Sequence, residues 1–363
     1  MTTIFIKGLG LIGSSLARAL KQKNPTQFIY ACDTQADSLN YALAEGIIDQ
    51  VSPDLELASK ADFIILASPV SQIIADIEAL SQMDLKPEVL VTDVGSTKAT
   101  ILAASKVLSA KGVKFIGGHP MAGSHKTGVR AGRADLFENA FYFQIPGLNV
   151  TANDLGKMQE LLSETKVKWL QLKAIEHDKV VAQISHLPHV LASALVNQTE
   201  QTFVANPLAL RLAAGGFKSM TRIAAADPEM WSAIMLNNRE IIVQQLQAFL
   251  TYLTTIKAQI EQGQKAELED FFHQAQVTRQ SLGPQKFGAL SGFYDLFVNI
   301  PDQVGSLAEI TQLLAQAQIN LVNMHILEIR EDIDGVLQLT FSSQANLEKA
   351  QEILTAKYQI LKR

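Results

Sequence analysis

The sequence has little cysteine, no surplus of basic residues and no long hydrophobic run. Its one cysteine, Cys32, excludes an intrachain disulfide and is interpreted as a small buried apolar side chain. The formal net charge of −5 argues against sequence-independent binding of nucleic acid. No apolar stretch approaches the roughly 20 residues that a membrane span needs, and a strand pattern begins at Thr3. We therefore expect a cytoplasmic protein that binds neither nucleic acid nor membrane.

What the sequence does contain is a regular alternation of short apolar runs and helical patterns. This alternation is typical of a parallel sheet with helices on its faces. The predicted strands are Thr3–Lys7, Phe28–Cys32, Phe63–Ala67, Val89–Asp93, Lys114–Gly117, Ala140–Ile145 and Val167–Leu172. The helical patterns between them include Ser14–Gln22, Asp37–Glu45 and Thr97–Leu108. We expect this α/β domain to occupy residues 1–172.

The pattern changes after residue 172. From about Ala174 to about Gln280 the periodicity is helical, which predicts an all-helical domain over residues 173–285. Pro284 lies in a segment that ends the helix, and Gly288–Gly292 is interpreted as a linker. Residues 293–363 follow the order βαββαβ of a small ferredoxin-like domain. A chain of 363 residues has room for these three domains.

A glycine-rich loop, Gly8–Gly13, joins the first predicted strand to the first helix. Its glycines permit a tight turn and the approach of a pyrophosphate to the backbone, and a helix N-terminus attracts phosphate. Asp33 ends the second strand, where a carboxylate binds ribose hydroxyls and repels a 2′-phosphate. The pattern predicts a Rossmann domain that binds NAD in preference to NADP. The predicted cofactor-binding residues are Gly8, Gly10, Leu11, Ile12, Gly13, Asp33, Ser68 and Pro69.

His119 is the candidate catalytic base. It is predicted to lie in the loop Gly117–Ser124, at the sheet edge where open α/β domains bind ligands. A dehydrogenase removes a hydroxyl proton as hydride leaves the same carbon, and imidazole suits that step at neutral pH. A histidine that only braces the loop is the alternative. Ser96, in the preceding loop, could hydrogen-bond His119 or the substrate, or cap the following helix.

The helical region supplies further candidates. His186 and His189 are three residues apart and would share a helical face, although Pro188 complicates a regular helix there. The spacing resembles that of metal ligands, but no third ligand lies nearby, so substrate contact or helix packing is favoured. Lys218 and Arg222 would share another face, where Arg222 could bind a carboxylate through two hydrogen bonds. A solvated helix face is the alternative for that pair.

Five segments, in order along the chain, together resemble the prephenate dehydrogenase family of tyrosine biosynthesis. They are Gly8–Ser15, Asp93–Lys98, Gly118–Ser124, Ser185–His189 and Arg222 with Asp227-Pro228. The segment His119–Gly123 is far more specific than the glycine loop. In the last domain, Asn299–Gly305 is similar to part of the ACT domain, a module that commonly binds amino acids.

The resemblance implies an enzyme, an NAD-dependent oxidoreductase that converts prephenate to 4-hydroxyphenylpyruvate by oxidative decarboxylation. His119 would take the ring hydroxyl proton while hydride passes to NAD, and Ser96 would support both the histidine and that hydroxyl. Arg222 matches the arginine that binds a substrate carboxylate, and His189 lies among the substrate contacts. The predicted substrate-binding residues are Arg222, His189, His186 and Lys218, and no metal is expected.

The resemblance also implies assembly and regulation. The family's helical domain forms a dimer, so we expect a homodimer. For the ACT-like domain we expect feedback inhibition by tyrosine, bound near Gly305 and the strand predicted to start at Asn320. Where many members carry an acid after the Ala-Gly-Ser/Thr segment, this chain has His125 and Lys126, which could hold an anion or lie in a solvated loop.

Three rival functions remain at this stage. A 3-hydroxy acid or imino acid oxidoreductase would share the plan of a Rossmann domain followed by helices, but it would not need the loop His119–Gly123. An arogenate dehydrogenase would act on a substrate with an amino group in place of the keto group. A non-catalytic sensor would bind NAD and an amino acid without turnover. The set of Ser96, His119 and Arg222 argues against the sensor.

Overall fold

The computed structural model describes residues 2–123, 126–204, 212–281, 294–301, 303–330 and 333–361. The chain divides into two compact units, residues 1–253 and 254–363. Three features predicted from the sequence lie wholly or mostly outside the described residues. They are His125, the helical pattern over Leu208–Ala214 and the linker Gly288–Gly292.

An eight-stranded sheet forms the centre of the α/β part of the first unit. Its strands are β1 (Thr3–Lys7), β2 (Phe28–Cys32), β3 (Gln50–Val51), β4 (Phe63–Leu66), β5 (Leu90–Asp93), β6 (Lys114–Pro120), β7 (Phe141–Pro146) and β8 (Lys168–Gln171). The order is β3-β2-β1-β4-β5-β6-β7-β8, and all neighbours are parallel except β6 and β7. The order reverses between β1 and β4, and α/β sheets bind ligands at such a point.

Helices cover both faces of this sheet. They are α1 (Leu11–Lys23), α2 (Ala36–Ala44), α3 (Val70–Leu80), α4 (Ala99–Ala104), α5 (Lys106–Ser109) and α6 (Ala152–Leu161). Successive residues of a strand point to opposite faces. Ile4 and Ile6 of β1 therefore pack with α1, α2 and α6, whereas Phe5 packs with α3, α4 and α5. Both faces are thus buried, as a parallel sheet requires.

Between β8 and Ser281, the described residues form helices joined by turns, with no strand. Its helices are α7 (Ala174–Val181), α8 (Leu187–Thr202), α9 (Gly215–Thr221), α10 (Pro228–Asn237), α11 (Arg239–Glu261) and α12 (Lys265–Ser281). Pro188 lies in the first turn of α8, where its missing N–H costs little, and a π-helical turn over Ala182–His186 precedes it. Asp227 caps α10 by accepting a hydrogen bond from the Met230 N–H at 2.7 Å.

The C-terminal part of the second unit is an antiparallel sheet with two helices. Its elements are β9 (Tyr294–Ile300), α13 (Ser306–Gln316), β10 (Asn323–Arg330), β11 (Ile333–Phe341), α14 (Gln344–Thr355) and β12 (Gln359–Leu361). The strand order is β10-β11-β9-β12, with a core that includes Val298, Ile310 and Leu337. The strand predicted from Asn320 begins at Asn323 instead, because its ladder with β11 starts at the pair Asn323 and Thr340.

The fold class predicted from the sequence is confirmed: a Rossmann-type α/β domain, a helical region and a βαββαβ domain. Within the described ranges, no helix combines the length and apolar character that crossing a bilayer requires.

Candidate functional site

The turn after β1 forms a cradle with the shape that a pyrophosphate needs. Gly8 has a φ of +94°, and a Cβ there would lie 2.6 Å from the carbonyl oxygen of Ala67. A Cβ on Gly13 would collide with the carbonyl oxygen of Gly8, so glycine lets α1 start directly against the turn. No atom lies within 4 Å of a Cβ placed on Gly10, which leaves that backbone open to a phosphate. The first turn of α1, starting at Leu11, holds no acidic residue that would compete for its N–H groups.

Asp33 connects this cradle to the end of β2. Its Oδ2 accepts a hydrogen bond from the Leu9 N–H at 2.6 Å, and its Oδ1 accepts one from the Gln35 N–H at 2.8 Å. A carboxylate oxygen has two lone pairs, so each can still accept a ribose hydroxyl. The cradle at Gly8–Gly13 and the Asp33 carboxylate together fit the pyrophosphate and the adenosine of a dinucleotide.

The remaining predicted cofactor residues lie at the same edge of the sheet. Ile12 is in the first turn of α1, and Ser68 and Pro69 follow β4, next to Gly8. The Ser68 hydroxyl donates to Oδ2 of Asp76 at 3.3 Å, which ties this turn to α3.

His119 lies on β6 and not in the loop predicted for it. The strand extends to Pro120 because β7 pairs with it in antiparallel, with Phe143 opposite His119. A strand backbone holds the half-buried imidazole more rigidly than a loop would. Its Nδ1 lies 2.8 Å from Nε2 of His177.

His177 and Asp178, both on α7, link His119 to the start of α4. The Nδ1 of His177 lies 2.8 Å from Oδ1 of Asp178. The two carboxylate oxygens also accept hydrogen bonds from the backbone N–H groups of Lys98, at 2.7 Å, and Ala99, at 2.8 Å. The helical region is therefore joined to the α/β domain at the histidine.

A buried ion pair between Asp93 and Lys98 holds the loop after β5. Both side chains have no exposed surface, and Asp93 also accepts the backbone N–H groups of Gly95, at 2.8 Å, and Gly118, at 3.1 Å. Burial raises the pKa of Asp93 and lowers the pKa of Lys98, and each charge counteracts that shift in the other. The pair thus fixes the loop against β6.

The surroundings of His119 favour its neutral form. Burial lowers the pKa of His119 well below its usual range, and nearby His177, Lys98 and His186 add to the shift. At neutral pH the imidazole is therefore unprotonated and able to accept a proton. Ser96 is partly exposed in the loop between the two members of the ion pair, and its catalytic role stays a prediction.

His189 and Trp231 form a flat surface in the helical region. Their rings stack with centroids 3.5 Å apart and an interplanar angle of 21°. The His189 Nδ1–H donates to the Ser185 carbonyl oxygen at 2.9 Å, which leaves Nε2 for a ligand. Burial lowers the pKa of His189, and the positive charge of Arg222 lowers it further, whereas the hydrogen bond to Ser185 raises it.

The other two predicted substrate-binding residues have different surroundings. His186 is buried, its Nδ1 lies 3.3 Å from Nδ2 of Asn238, and burial lowers its pKa to about 4, which favours the packing alternative. Lys218 is exposed on α9, but that helix ends at Thr221, so Arg222 begins a 3-10 turn and does not continue the predicted helical face.

No group of three or more His, Cys, Asp or Glu side chains in the described part of the chain could hold a metal ion.

The sequence interpretation missed His177 and Asp178, and it gave Trp231 no part in the site. The sequence contained one signal of a buried histidine. His177 lies four residues before the apolar Val181, a spacing that places both on one face of α7, and both are buried there. A histidine on an apolar helix face, followed by an acid, is compatible with a buried polar pair. The partner of His177 on the sheet, His119, is determined by tertiary contacts that no local sequence pattern encodes.

Family models match three successive parts of the chain: the nucleotide-binding domain of prephenate dehydrogenase over residues 16–171, its dimerization domain over 173–274, and an ACT domain over 294–356. The prephenate dehydrogenase of Lactococcus lactis subsp. cremoris is 41% identical over 355 residues, 98% of this chain and 98% of that protein. The chain belongs to the prephenate dehydrogenase family. The prephenate dehydrogenase of Bacillus subtilis agrees, with 38% identity over 357 residues, 98% of this chain and 96% of that protein.

A solved prephenate dehydrogenase is similar in structure to most of the chain. It is the prephenate dehydrogenase from A. aeolicus in complex with hydroxyphenyl propionate and NAD+, 29% identical, with a TM-score of 0.71 over 78% of this chain and 98% of that chain. The family resemblance predicted from the sequence is confirmed.

In the ACT domain, Gly305 lies in the turn between β9 and α13 with a φ of +97°. A surface hollow beside it is lined in part by Glu309, Lys357 and Tyr358, and the Tyr358 hydroxyl donates to Glu309 Oε2 at 2.9 Å. Asn320 is exposed before β10. These positions are on the surface, where an effector could reach them.

Proposed function

We propose that this chain is an NAD-dependent prephenate dehydrogenase of tyrosine biosynthesis, forming 4-hydroxyphenylpyruvate and carbon dioxide. The observation that carries the proposal is the position of His119, at the end of β6 in the sheet that carries the phosphate cradle and hydrogen-bonded to His177 of the helical region, in a chain of this family. Both full-length relatives are prephenate dehydrogenases, which does not favour arogenate as the substrate. A cytoplasmic location remains a prediction.

The cradle and the β2 carboxylate fit NAD. Gly10 and the N-terminus of α1 bind the pyrophosphate, and Asp33 binds the adenosine ribose and disfavours a 2′-phosphate. Leu11, Ile12, Ser68 and Pro69 complete the binding edge. When bound, NAD accepts the hydride that leaves the substrate.

His119 takes the proton of the ring hydroxyl as hydride leaves the same carbon. The ring then expels carbon dioxide and becomes aromatic, which makes the reaction irreversible in practice. Ser96 hydrogen-bonds the substrate hydroxyl and holds it in place for His119. Arg222 binds a substrate carboxylate, with His189 and Trp231 beside it.

The direct test is incubation of the purified full-length chain with NAD and either prephenate or arogenate. NADH and 4-hydroxyphenylpyruvate should form in equal amounts from prephenate. Activity on arogenate alone would reassign the substrate. No NADH from either compound, with NAD binding demonstrated, would contradict a catalytic function and favour the sensor.

Replacement of Arg222 by glutamine should raise the KM for prephenate by roughly 10- to 100-fold. Hydrogen bonds between charged partners contribute about 1.5–3 kcal/mol, and the amide lacks both the charge and the second donor pair. Because the carboxylate is bound before and during the reaction, kcat should change less than KM. Arg239→Gln, at an exposed arginine that begins α11, is the matched control. An equal KM in the two variants would remove Arg222 from the substrate site.

We also propose that the protein is a homodimer. The family model that covers residues 173–274 describes a dimerization domain. The same region leaves large apolar side chains exposed, including Leu236 at 71% and Val243 at 64%. Apolar surface of this kind is typical of a subunit interface.

Tyrosine is the proposed effector of the ACT domain, bound near Gly305 and Asn320. We expect tyrosine to inhibit the full-length chain and Gly305→Val to weaken that inhibition, because a β-branched residue does not tolerate a φ of +97°. Gly263→Val, at a glycine with a φ of +64° outside the ACT domain, is the control. Inhibition is measured as NADH formation against tyrosine concentration. Equal inhibition of the unmodified chain and both variants would contradict a tyrosine site near Gly305.

A further inference from the structure

Three side chains form a continuous hydrogen-bonded series that ends at the proposed base. Oδ1 of Asp178 lies 2.8 Å from Nδ1 of His177, and Nε2 of His177 lies 2.8 Å from Nδ1 of His119. The first two residues are buried, whereas His119 is only partly buried. Among the residues that the structure describes, no hydrogen bond occupies Nε2 of His119, the nitrogen opposite the series.

The contacts of Asp178 determine where the protons of this series lie. Its oxygens accept the backbone N–H groups of Lys98 and Ala99, so the carboxylate acts as an acceptor. The Nδ1 of His177 must therefore carry the proton that it shares with Asp178. In a neutral ring the Nε2 of His177 is then an acceptor, and it receives the Nδ1 proton of His119.

We propose that His177 and Asp178 are positioning residues that hold His119 in the tautomer with a proton on Nδ1 and a free lone pair on Nε2. The last step rests on the proposed function: Nε2 takes the substrate's hydroxyl proton. In that step the O–H bond breaks and an N–H bond forms at Nε2, while the C–H electron pair leaves as hydride to NAD. The negative charge of Asp178 also favours the imidazolium that His119 becomes.

Other charged groups near His119 do not substitute for this pair. Lys98 and His186 oppose a positive charge on the imidazole, and Asp93 is occupied by its ion pair with Lys98. Asp178 is the carboxylate that the hydrogen-bonded series connects to the ring. The pair therefore acts on both the orientation and the charge of the base.

Replacement of Asp178 by asparagine removes the negative charge behind the two rings. An amide oxygen at the Oδ1 position still accepts the Lys98 N–H and the Nδ1 proton of His177, so His177 keeps its tautomer and the amide nitrogen faces the Ala99 N–H. Replacement of His177 by leucine instead removes the acceptor for the Nδ1 proton of His119. We expect Asp178→Asn to lower kcat by about 10- to 100-fold, the effect of losing one hydrogen bond to a charged group, and His177→Leu to leave His119 without a preferred tautomer.

The first measurement is the ¹⁵N spectrum of histidine-labelled full-length protein without substrate, with His119→Asn used for assignment. The unmodified chain should show His119 protonated on Nδ1, and His177→Leu should show both tautomers, because the acceptor for the Nδ1 proton is absent. Protonation on Nε2 in the unmodified chain would overturn the inference. Because no substrate is present, this result is independent of whether prephenate is turned over.

Steady-state kinetics provide the second measurement. Asp178→Asn should lose kcat while the Kd for NAD stays unchanged, and His177→Gln should retain more activity than His177→Leu because the Gln oxygen can accept the Nδ1 proton. Glu176→Gln makes the same carboxylate-to-amide exchange at an exposed position of α7 and should leave kcat unchanged. Unchanged kcat in Asp178→Asn, or an unchanged His119 tautomer in His177→Leu, would overturn the positioning role. If the unmodified chain oxidises no prephenate, the proposed function fails and the spectrum alone decides the inference.

Discussion

Replacement of His119 by asparagine is expected to lower kcat with prephenate by at least about 100-fold, the lower range for loss of a general base. The asparagine side chain is polar and similar in size to the part of the histidine side chain nearest the backbone. The pairing of β6 with β7 and the position of Phe143 should therefore persist. It has no nitrogen that accepts a proton at neutral pH. The Kd for NAD should be unchanged because the cradle at Gly8–Gly13 is a separate turn.

Stopped-flow or steady-state formation of NADH measures the effect, and a fluorescence titration with NAD measures cofactor binding. His273→Asn, at an exposed histidine of α12, is the control for the exchange itself. Turnover of His119→Asn close to that of the control would mean that another group is the base.

The largest expected effect on stability is that of Lys98→Met. The substitution leaves the fully buried Asp93 carboxylate without its partner, and breaking a buried ion pair in this way costs about 3–5 kcal/mol. Asp93 still accepts two backbone N–H groups, but these do not balance a full charge. Because the pair holds the loop after β5 against β6, activity should be lost as well.

Urea unfolding followed by tryptophan fluorescence measures this loss for the first unit, since both tryptophans, Trp169 and Trp231, lie within residues 1–253. Lys86→Met removes an exposed ion pair with Asp62 and should cost at most about 1 kcal/mol. Asp93→Asn combined with Lys98→Met should recover part of the stability, because both charges are then absent. Equal unfolding midpoints for Lys86→Met and Lys98→Met would contradict this account of the pair.

Local patterns predicted the elements that carry the cofactor edge. β1 and β2 have the bounds expected from their apolar periodicity, and Gly8–Gly13 and Asp33 lie where strand ends place them. These features depend on neighbours in sequence: a strand, a turn that only glycine permits and a helix that begins after it. The family resemblance then gave His119 and Arg222 their roles toward prephenate and identified the ACT domain.

The features that could not be predicted depend on contacts between distant segments. His119 lies in a strand because β7 pairs with β6 beyond Gly117, and its hydrogen-bond partner is His177, from a helix 58 residues away in sequence. The strand expected at Asn320 starts at Asn323, where its pairing with β11 begins. Pairing, burial and turn geometry of this kind arise only when the chain is folded.

The pH dependence of kcat/KM for prephenate tests the central claim, that His119 is a base kept neutral by its surroundings. The free base is required, and burial lowers its pKa below the ordinary value of 6.5, so kcat/KM should stay level from neutral pH to below 6.5. It should fall only at more acid pH, as His119 gains a proton, while tryptophan fluorescence shows that the fold persists. A fall that is already centred at or above pH 6.5 would contradict the account.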